Sequence, residues 1–282
     1  MYVSFLVFLG IIMSKKYIKV NENNTEFVKK IEKNNKNIQV FDENKRFFVK
    51  SAKIGQVKIE GDEHNHLSNV MRFKVGDEVI LVCNDDYDYS GKIIEITRNY
   101  SIADVLQKRK NNANPSVQIT AFVAVNKREP MSLMVRMLSE LGVTDFVPIT
   151  TKWTQAQDAT EKLERYQKIA DQSAKQCRRS KTLNVLGIKT LDEICSYINE
   201  FDTVLFAYEK ENAYNLDQYF DANSNKYKNV AFIIGPVAGF DTDEAEKIVK
   251  SGAVSVSLGK RILKADTACV AMASIIMNKL DK

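Results

Sequence analysis

The sequence predicts an α/β protein of two domains, a small β-barrel followed by a larger domain built on a parallel sheet. Its 282 residues exceed one ordinary domain of about 100–150 residues and are too few for three. Short apolar alternations of period two fill residues 45–105, whereas after Pro115 longer apolar runs alternate with segments of helical periodicity. The first pattern is typical of a small barrel, and the second of a parallel sheet covered by helices on both faces.

Residues 1–44 precede the first predicted strand and are interpreted as an accessory extension. The run Met1–Met13 is uncharged and mostly apolar, but a membrane-spanning helix needs about 20 apolar residues. Its flanking charges, Lys15 and Lys16, follow the run, whereas those of a secretory signal precede it. We therefore expect Met13 to be the true initiator, with a weak membrane anchor as the alternative, and a short helix over Thr25–Lys33.

The predicted barrel occupies residues 45–114. Polar or glycine-containing turns such as Asn84–Asp86 and Gly91 separate its apolar segments. The polar stretch Lys108–Asn114 has the composition of a linker, and Pro115 marks the boundary with the second domain, residues 116–282. The predicted strands are Lys45–Val49, Val57–Ile59, Glu78–Val82, Lys92–Ile96 and Tyr100–Val105.

The second domain alternates strands and helices. In such parallel sheets a ligand binds beyond the carboxyl ends of the strands, which points to the segments after Phe206, Ile234 and Leu258. The predicted strands are Val117–Val125, Phe146–Ile149, Val204–Tyr208, Val230–Ile234 and Val254–Leu258, and the predicted helices are Met131–Leu141, Glu161–Arg179, Asp243–Lys250 and Ala265–Lys279.

Composition and charge favour an intracellular protein that is compatible with nucleic acid. Hydrophobic residues make up 44% and charged residues 27%, as in ordinary globular proteins, and the net charge is +5. The four cysteines form no C-x-x-C pair, which argues against a disulfide framework and a thiolate zinc site and predicts a reducing, cytoplasmic compartment. His64 and His66, on a stretch interpreted as a strand or its approach, are too few for zinc, so we expect no metal.

Two loops of the second domain carry unusual motifs. Gly235–Phe240 reads GPVAGF and is followed by Asp241–Glu244, which is typical of a helix N-cap with acidic residues in the first turn. Leu258–Leu263 reads LGKRIL and opens the last helix. Neither G-x-G-x-x-G nor a P-loop is present, which disfavours dehydrogenases and P-loop enzymes. The alternative interpretation of the second loop is a basic segment with a capping Asp266 or Thr267.

These motifs resemble those of the SPOUT-class methyltransferases of the RsmE type. The resemblance runs from about Arg46 to the C-terminus. Three further segments are similar to the family pattern in the same order: His64–Asp77 (HNHLSNVMRFKVGD), Ser139–Pro148 (SELGVTDFVP) and Ile169–Ser180 (IADQSAKQCRRS).

The resemblance implies a fold and an activity that cannot be predicted from hydrophobic periodicity alone. It implies a PUA-like β-barrel for RNA, followed by a SPOUT α/β domain with a C-terminal trefoil knot, a feature too rare for any pattern to predict. It also implies methylation of N3 of a uridine in 16S (small-subunit) ribosomal RNA with S-adenosylmethionine (AdoMet) as cofactor. The implied partners are small-subunit ribosomal RNA, or the ribosomal subunit during its assembly, and a second copy of the chain in a homodimer. Neither a membrane nor a metal ion is expected to take part.

The resemblance also assigns site residues. Arg261 or Lys264 would stabilise the uridine anion, while Asp266 would accept the proton or only cap the helix. Gln176, Arg178 and Arg179 lie near the end of the predicted helix Glu161–Arg179. They are expected to bind RNA phosphate, and the alternative is that they only form a solvent-exposed face. The implied cofactor-binding residues are Phe206, Ala207, Gly235, Pro236, Gly239, Leu258, Gly259, Ile262 and Leu263, and the predicted RNA-binding residues of the barrel are Arg46, Lys50, Arg72 and Lys74.

The sequence departs from the family pattern at both loops. Val237 and Ala238 stand where the family has Glu and Gly, and Lys264, Ala265 and Asp266 keep the charge signs of an R-T-E triplet but not its residues. If Ala238 needs the backbone angles of glycine, strain of roughly 1–2 kcal/mol weakens AdoMet binding. Two alternatives therefore stand beside the uridine methyltransferase: a non-catalytic RNA- or ribosome-binding protein, and a SPOUT enzyme acting on another base.

Overall fold

The computed structural model describes residues 45–126, 128–154, 162–211, 214–222 and 227–281. The helix predicted over Thr25–Lys33 and the apolar run Met1–Met13 lie outside these residues. Within the described part of the chain, no helix has both the length and the apolar character needed to cross a membrane.

The first sheet has five strands in the order β1-β3-β4-β5-β2. Strand β1 pairs with β3 in parallel and the other neighbours are antiparallel. Within the described residues β1 and β2 are the edge strands and do not pair with each other, so the predicted barrel is not closed. The sheet packs on an apolar core of its own. At Gly91 the β4–β5 register shifts, and a Cβ there would lie 2.2 Å from the Asp104 carbonyl oxygen, so only glycine fits. The strands are β1 (Arg46–Phe48), β2 (Gly55–Glu60), β3 (Glu78–Val82), β4 (Tyr87–Ile96) and β5 (Tyr100–Lys110).

Two predictions for this domain are wrong in detail. The stretch with His64 and His66 is helical: α1 (Gly61–Asn65) continues into a π-helical turn, His66–Val70. Buried His64 places Nδ1 2.9 Å from Ser101 Oγ and Nε2 3.3 Å from the Arg98 carbonyl oxygen, which gives it a local structural role. Lys108–Lys110 belongs to β5 because it pairs with the start of β4, so the connection between the sheets is residues 111–117.

The second sheet is parallel throughout, with the order β12-β10-β11-β6-β7-β8 and β9 on β7. Its central strands β6, β10 and β11 are buried on both faces, as their near-continuous apolar runs require. The strands are β6 (Gln118–Ala124), β7 (Asp145–Thr150), β8 (Asn184–Val185), β9 (Lys189–Thr190), β10 (Thr203–Ala207), β11 (Asn229–Ile234) and β12 (Val254–Val256).

Helices cover both faces of this sheet, as predicted. One apolar cluster packs α2, α3, α5 and α7 against the sheet, and a second cluster packs α4 and α6 on the other face. All four predicted helices are confirmed, whereas α4 and α5 were not predicted because they are too short to show a helical period. The helices are α2 (Arg128–Leu141), α3 (Leu163–Gln176), α4 (Leu191–Ser196), α5 (Leu216–Ala222), α6 (Thr242–Lys250) and α7 (Ala265–Leu280).

Candidate functional site

A cleft of about 680 Å³ opens where three parallel strands end side by side. Strands β12, β10 and β11 are adjacent, and their last residues are in register, with Phe206 opposite Ile233 and Ala207 opposite Val256. The loops that leave these strands therefore meet at one edge of the sheet. This is the edge that the crevice argument and the two motifs indicated.

Eight of the nine predicted cofactor-binding residues lie on the wall of this cleft. The exception is Phe206, which is fully buried and stacks on Tyr208 with ring centroids 5.1 Å apart. Neighbouring side chains of a strand point to opposite faces, so Phe206 supports Tyr208 from the core while Ala207 reaches the cleft. The prediction for Phe206 is therefore wrong. The eight lining residues are Ala207, Gly235, Pro236, Gly239, Leu258, Gly259, Ile262 and Leu263.

The GPVAGF loop forms a tight turn after β11. The Gly239 N–H donates to the Pro236 carbonyl oxygen at 2.9 Å, and Gly239 has φ +77°. A Cβ at Gly239 would also lie 2.8 Å from Glu209 Oε1, so both backbone angle and space favour glycine there. Ala238 is not among the described residues with positive φ. The strain predicted at Ala238 is therefore absent, because Gly239 carries the left-handed conformation.

The helix that follows this turn begins as predicted. Asp241 is the N-cap of α6, and it forms a capping box with Glu244. The Lys152 ammonium donates to Asp241 at 2.7 Å, and this hydrogen bond lowers the pKa of the carboxyl group. The cap thus fixes the far side of the loop and keeps its turn in place.

The LGKRIL loop adds a cationic wall to the cleft. The side chains of Arg261 and Lys264 both line it and are exposed, and neither forms an ion pair within the described residues. Asp266 lies in the first turn of α7, whose N-cap is Lys264, and its Oδ1 accepts from the Thr267 N–H at 2.9 Å. Asp266 thus supports the turn from inside the helix, not as the N-cap, and its carboxylate also lines the cleft.

Several lining residues were not predicted. Asn126 and Pro130 follow β6, the neighbour of β11, so the same crevice rule applied to a fourth strand end would have found them. Tyr208 and Glu209 directly follow β10, in the segment after Phe206 that the crevice argument indicated, although neither residue was predicted individually. The remaining lining residues are Ile234, Val237, Ser257, Lys260, Ala265 and Ala268.

The structure separates the predicted RNA-binding residues into exposed and buried groups. Arg46 is 5% exposed and binds Asp88 through two hydrogen bonds of 2.6 and 3.0 Å. Arg179 is 1% exposed, and its Nη1 donates to the carbonyl oxygens of Ser139 and Val143. Burial also lowers the pKa of this guanidinium. Neither arginine reaches an RNA phosphate, so these two predictions are wrong. The exposed members are Lys50, Arg72, Lys74 and Arg178.

Among the residues that the structure describes, no group of three His, Cys, Asp or Glu side chains is placed to hold a metal ion. The cleft is instead lined by glycine-containing turns, one aromatic ring and a mixture of three cations and two carboxylates: Lys260, Arg261, Lys264, Glu209 and Asp266. Such a surface suits an organic ligand that carries both charges.

Comparison with known families assigns both domains. The sequence model described as RNA methyltransferase domain matches residues 112–277, and the one described as RNA methyltransferase PUA domain matches residues 59–106. The chain is 24% identical over 217 residues to ribosomal RNA small subunit methyltransferase E of Bacillus subtilis, covering 74% of this chain and 85% of that protein. It is 26% identical over 229 residues to the protein of the same name from Rickettsia conorii, covering 80% and 91%.

Solved structures show the same fold. A ribosomal RNA small subunit methyltransferase E from Neisseria gonorrhoeae bound to S-adenosyl methionine has a TM-score of 0.75 at 22% identity, covering 83% of this chain and 97% of that chain. A putative methyltransferase from Legionella pneumophila, in complex with SAM, has a TM-score of 0.76 at 20% identity, covering 84% and 98%. Since the first family model matches more than half of the 282 residues, the chain belongs to the RNA methyltransferase family, and its resemblance to the RsmE type is confirmed.

Proposed function

We propose that this protein transfers a methyl group from AdoMet to N3 of a uridine in 16S ribosomal RNA. The observation that carries the proposal is the cleft, where the GPVAGF and LGKRIL loops face each other at the carboxyl ends of parallel strands. Family membership supports the reaction class, and the names of the relatives support small-subunit ribosomal RNA as substrate.

The residues of the cleft fit AdoMet. Its volume of about 680 Å³ lies within the range of roughly 300–1,000 Å³ that small-molecule sites occupy. AdoMet would supply an activated methyl group on its sulfonium. The backbone of Gly235–Gly239 and of Leu258–Gly259 would hold the adenine by N–H and C=O groups, and Ile262 and Leu263 would cover it. The family-like trefoil knot would be tied by these same loops.

The charged residues of the cleft would act on the uridine. Its N3 must lose a proton before its lone pair attacks the methyl carbon. As the N–C bond forms, the bond from that carbon to sulfur would break, and its electron pair would go to sulfur, so that the neutral thioether S-adenosylhomocysteine leaves. Asp266 would accept that proton, and Arg261 or Lys264 would stabilise the negative charge left on the base. All three residues line the cleft, which supports these roles. Positioning both reactants in line supplies much of the remaining rate enhancement.

The second domain would form a homodimer that completes the cleft. Val237 and Ile262 lie on its wall, yet they are 80% and 86% exposed. Apolar side chains this exposed beside a site are typical of an interface. A monomeric mass by light scattering across micromolar concentrations would contradict the dimer.

The test of the proposed function is the nucleoside content of small-subunit RNA. RNA from cells lacking the gene, incubated with the purified protein and AdoMet, should gain N3-methyluridine by mass spectrometry and a reverse-transcription stop at one position. Methylation of another base would favour the SPOUT alternative. AdoMet binding measured by calorimetry separates an active enzyme from a non-catalytic RNA-binding protein.

We predict that restoring the family residues in the GPVAGF loop changes AdoMet binding little. Val237 and Ala238 are exposed and Gly239 already provides the left-handed turn, so Val237→Glu with Ala238→Gly should shift affinity by less than about 0.5 kcal/mol, roughly twofold. Calorimetry on both forms measures this. A tenfold gain would show that Ala238 does distort the loop in solution.

We predict that the exposed basic residues of the first sheet set the salt dependence of RNA binding. A triple alanine variant of Lys50, Arg72 and Lys74 should reduce the slope of log K against log salt by roughly 0.7–0.9 for each RNA phosphate that the variant no longer neutralises. Fluorescence anisotropy with a small-subunit RNA fragment measures the slope. The control is a double alanine variant of Lys168 and Lys250, exposed lysines of the second domain. If the control variant changed the salt slope by as much per lysine removed as the triple variant does per residue, the first sheet would not be the RNA-binding surface.

A further inference from the structure

The connection between the two sheets contributes two asparagines, the buried Asn111 and the partly buried Asn114, to a polar junction. We define this polar junction by Asp85 of the β3–β4 turn, Asn111 and Asn114 of the connection, and Arg178 and Ser180, which follow α3. Ser180 is 0% and Asn111 6% exposed. A flexible linker would leave its polar side chains in water, whereas here the side chains of Asn111 and Asn114 form hydrogen bonds with groups of both domains.

The amide of Asn114 contacts both domains at once. Its Nδ2 donates to Ser180 Oγ at 2.7 Å and to the Asp85 carbonyl oxygen at 3.3 Å. Its Oδ1 accepts from the backbone N–H groups of Ser180 and Lys181, both at 3.1 Å. Ser180 Oγ in turn donates to the Asp85 carbonyl oxygen. One side chain therefore holds the turn of the first sheet against the segment that follows α3.

Asn111 extends the polar junction into the core of the first sheet. Its Nδ2 donates to Asp88 Oδ1 at 2.8 Å and to the Arg178 carbonyl oxygen at 2.9 Å. Asp88 also holds Arg46 of β1. A continuous hydrogen-bonded chain thus runs from β1 to the residues after α3.

A junction of this kind fixes one geometry. Apolar surfaces can slide over each other with little loss of energy, whereas buried polar groups lose their partners if they shift. Domains joined by small interfaces move relative to each other by default. The polar junction removes that freedom at the point where the two domains are connected.

We propose that Asn114 is a positioning residue that fixes the RNA-binding sheet relative to the methyl-transfer cleft. The inference rests on the proposed function. RNA held by the first sheet must present one base to a cleft in the other domain, and misplacement by about 1 Å can reduce a rate by roughly 100-fold. Asn114 acts on the reaction only through the orientation of the two domains.

The test compares Asn114→Ala with Asn112→Ala, a control at an exposed position two residues earlier in the same connection. For Asn114→Ala we expect kcat on small-subunit RNA to fall roughly tenfold or more, with the Kd values for AdoMet and for RNA unchanged within about twofold. Amide hydrogen exchange at Ser180 and Lys181 should become faster. The Asn112→Ala protein should match the wild type in all four measurements.

A second variant separates positioning from general instability. Asn114→Asp keeps the oxygen that accepts from the Ser180 and Lys181 N–H groups, so it should retain slow exchange there and recover part of kcat. Wild-type kcat in Asn114→Ala, or an RNA affinity that falls as far as kcat does, would overturn the inference. A wild-type protein that leaves RNA unmethylated would instead overturn the proposed function and the positioning role with it.

Discussion

Replacing Asp88 with alanine is expected to lower the free energy of unfolding by about 3–5 kcal/mol. Asp88 is 3% exposed and accepts both hydrogen bonds from the equally buried Arg46 guanidinium, together with one from Asn111. Without the carboxylate, the buried charge of Arg46 loses its partner and the Asn111 amide loses one of its two acceptors, and water cannot replace the carboxylate without opening the sheet.

Urea denaturation of the wild type and the variant measures this loss. A double replacement, Arg46→Met with Asp88→Leu, should be much less destabilised than Asp88→Ala, because it removes both charges and fills the space with apolar groups. The control is Glu60→Ala, which breaks an exposed ion pair with Lys58 and should leave the midpoint unchanged. If Asp88→Ala behaved like Glu60→Ala, the Arg46–Asp88 pair would not be buried in solution.

The Arg46–Asp88 pair is a contact that could not be predicted from the sequence. Arg46 is a cation on a predicted strand of a domain that resembles an RNA-binding barrel, so an RNA-binding role was a reasonable interpretation. Its partner lies 42 residues away, on a strand that is not its neighbour in the sheet. Arg179 is similar, because the carbonyl groups that it binds come from α2 and from the turn after it. Hydrophobic periodicity predicts which face of a strand or helix a residue occupies, but it does not predict the hydrogen-bond partner that a distant segment will supply.

Most of the second domain and the location of its cleft could be predicted, because both depend on local patterns. Long apolar runs predicted the buried strands β6, β10 and β11, and the crevice rule placed the site at the ends of β10, β11 and β12. The missed elements α4, α5, β8 and β9 are too short to show a period. Which side chains face the cleft depends on where each strand ends, and Phe206 was assigned to the wrong side for that reason.

The GPVAGF loop illustrates a finer limit. Its departure from the family pattern predicted strain at Ala238, on the assumption that this residue needs the backbone angles of the glycine that the family has there. The turn places the only positive φ of the loop at Gly239, which this sequence retains. Whether a substitution strains the loop therefore depends on the φ angle at that position, and this angle cannot be read from the sequence.

Replacing Arg261 with alanine is expected to reduce kcat for RNA methylation by about 100- to 1,000-fold while AdoMet affinity changes little. The expectation rests on the proposed function and on the usual effect of removing one group that stabilises a developing negative charge. Arg261 lines the cleft, and its exposed guanidinium has no ion-pair partner within the described residues, so it is available to the uridine anion.

Two further variants decide whether charge alone or the shape of the guanidinium matters. Lys260→Ala removes a neighbouring cation that lines the same cleft, and it should lower kcat far less than Arg261→Ala. Arg261→Lys keeps the charge but loses the planar pair of N–H donors, so an intermediate kcat is expected if Arg261 binds a carbonyl oxygen of uridine through both. Single-turnover methylation with saturating AdoMet measures the three rates. If Lys260→Ala and Arg261→Ala lose activity equally, the positive field of the whole loop stabilises the anion, and Arg261 has no individual catalytic role.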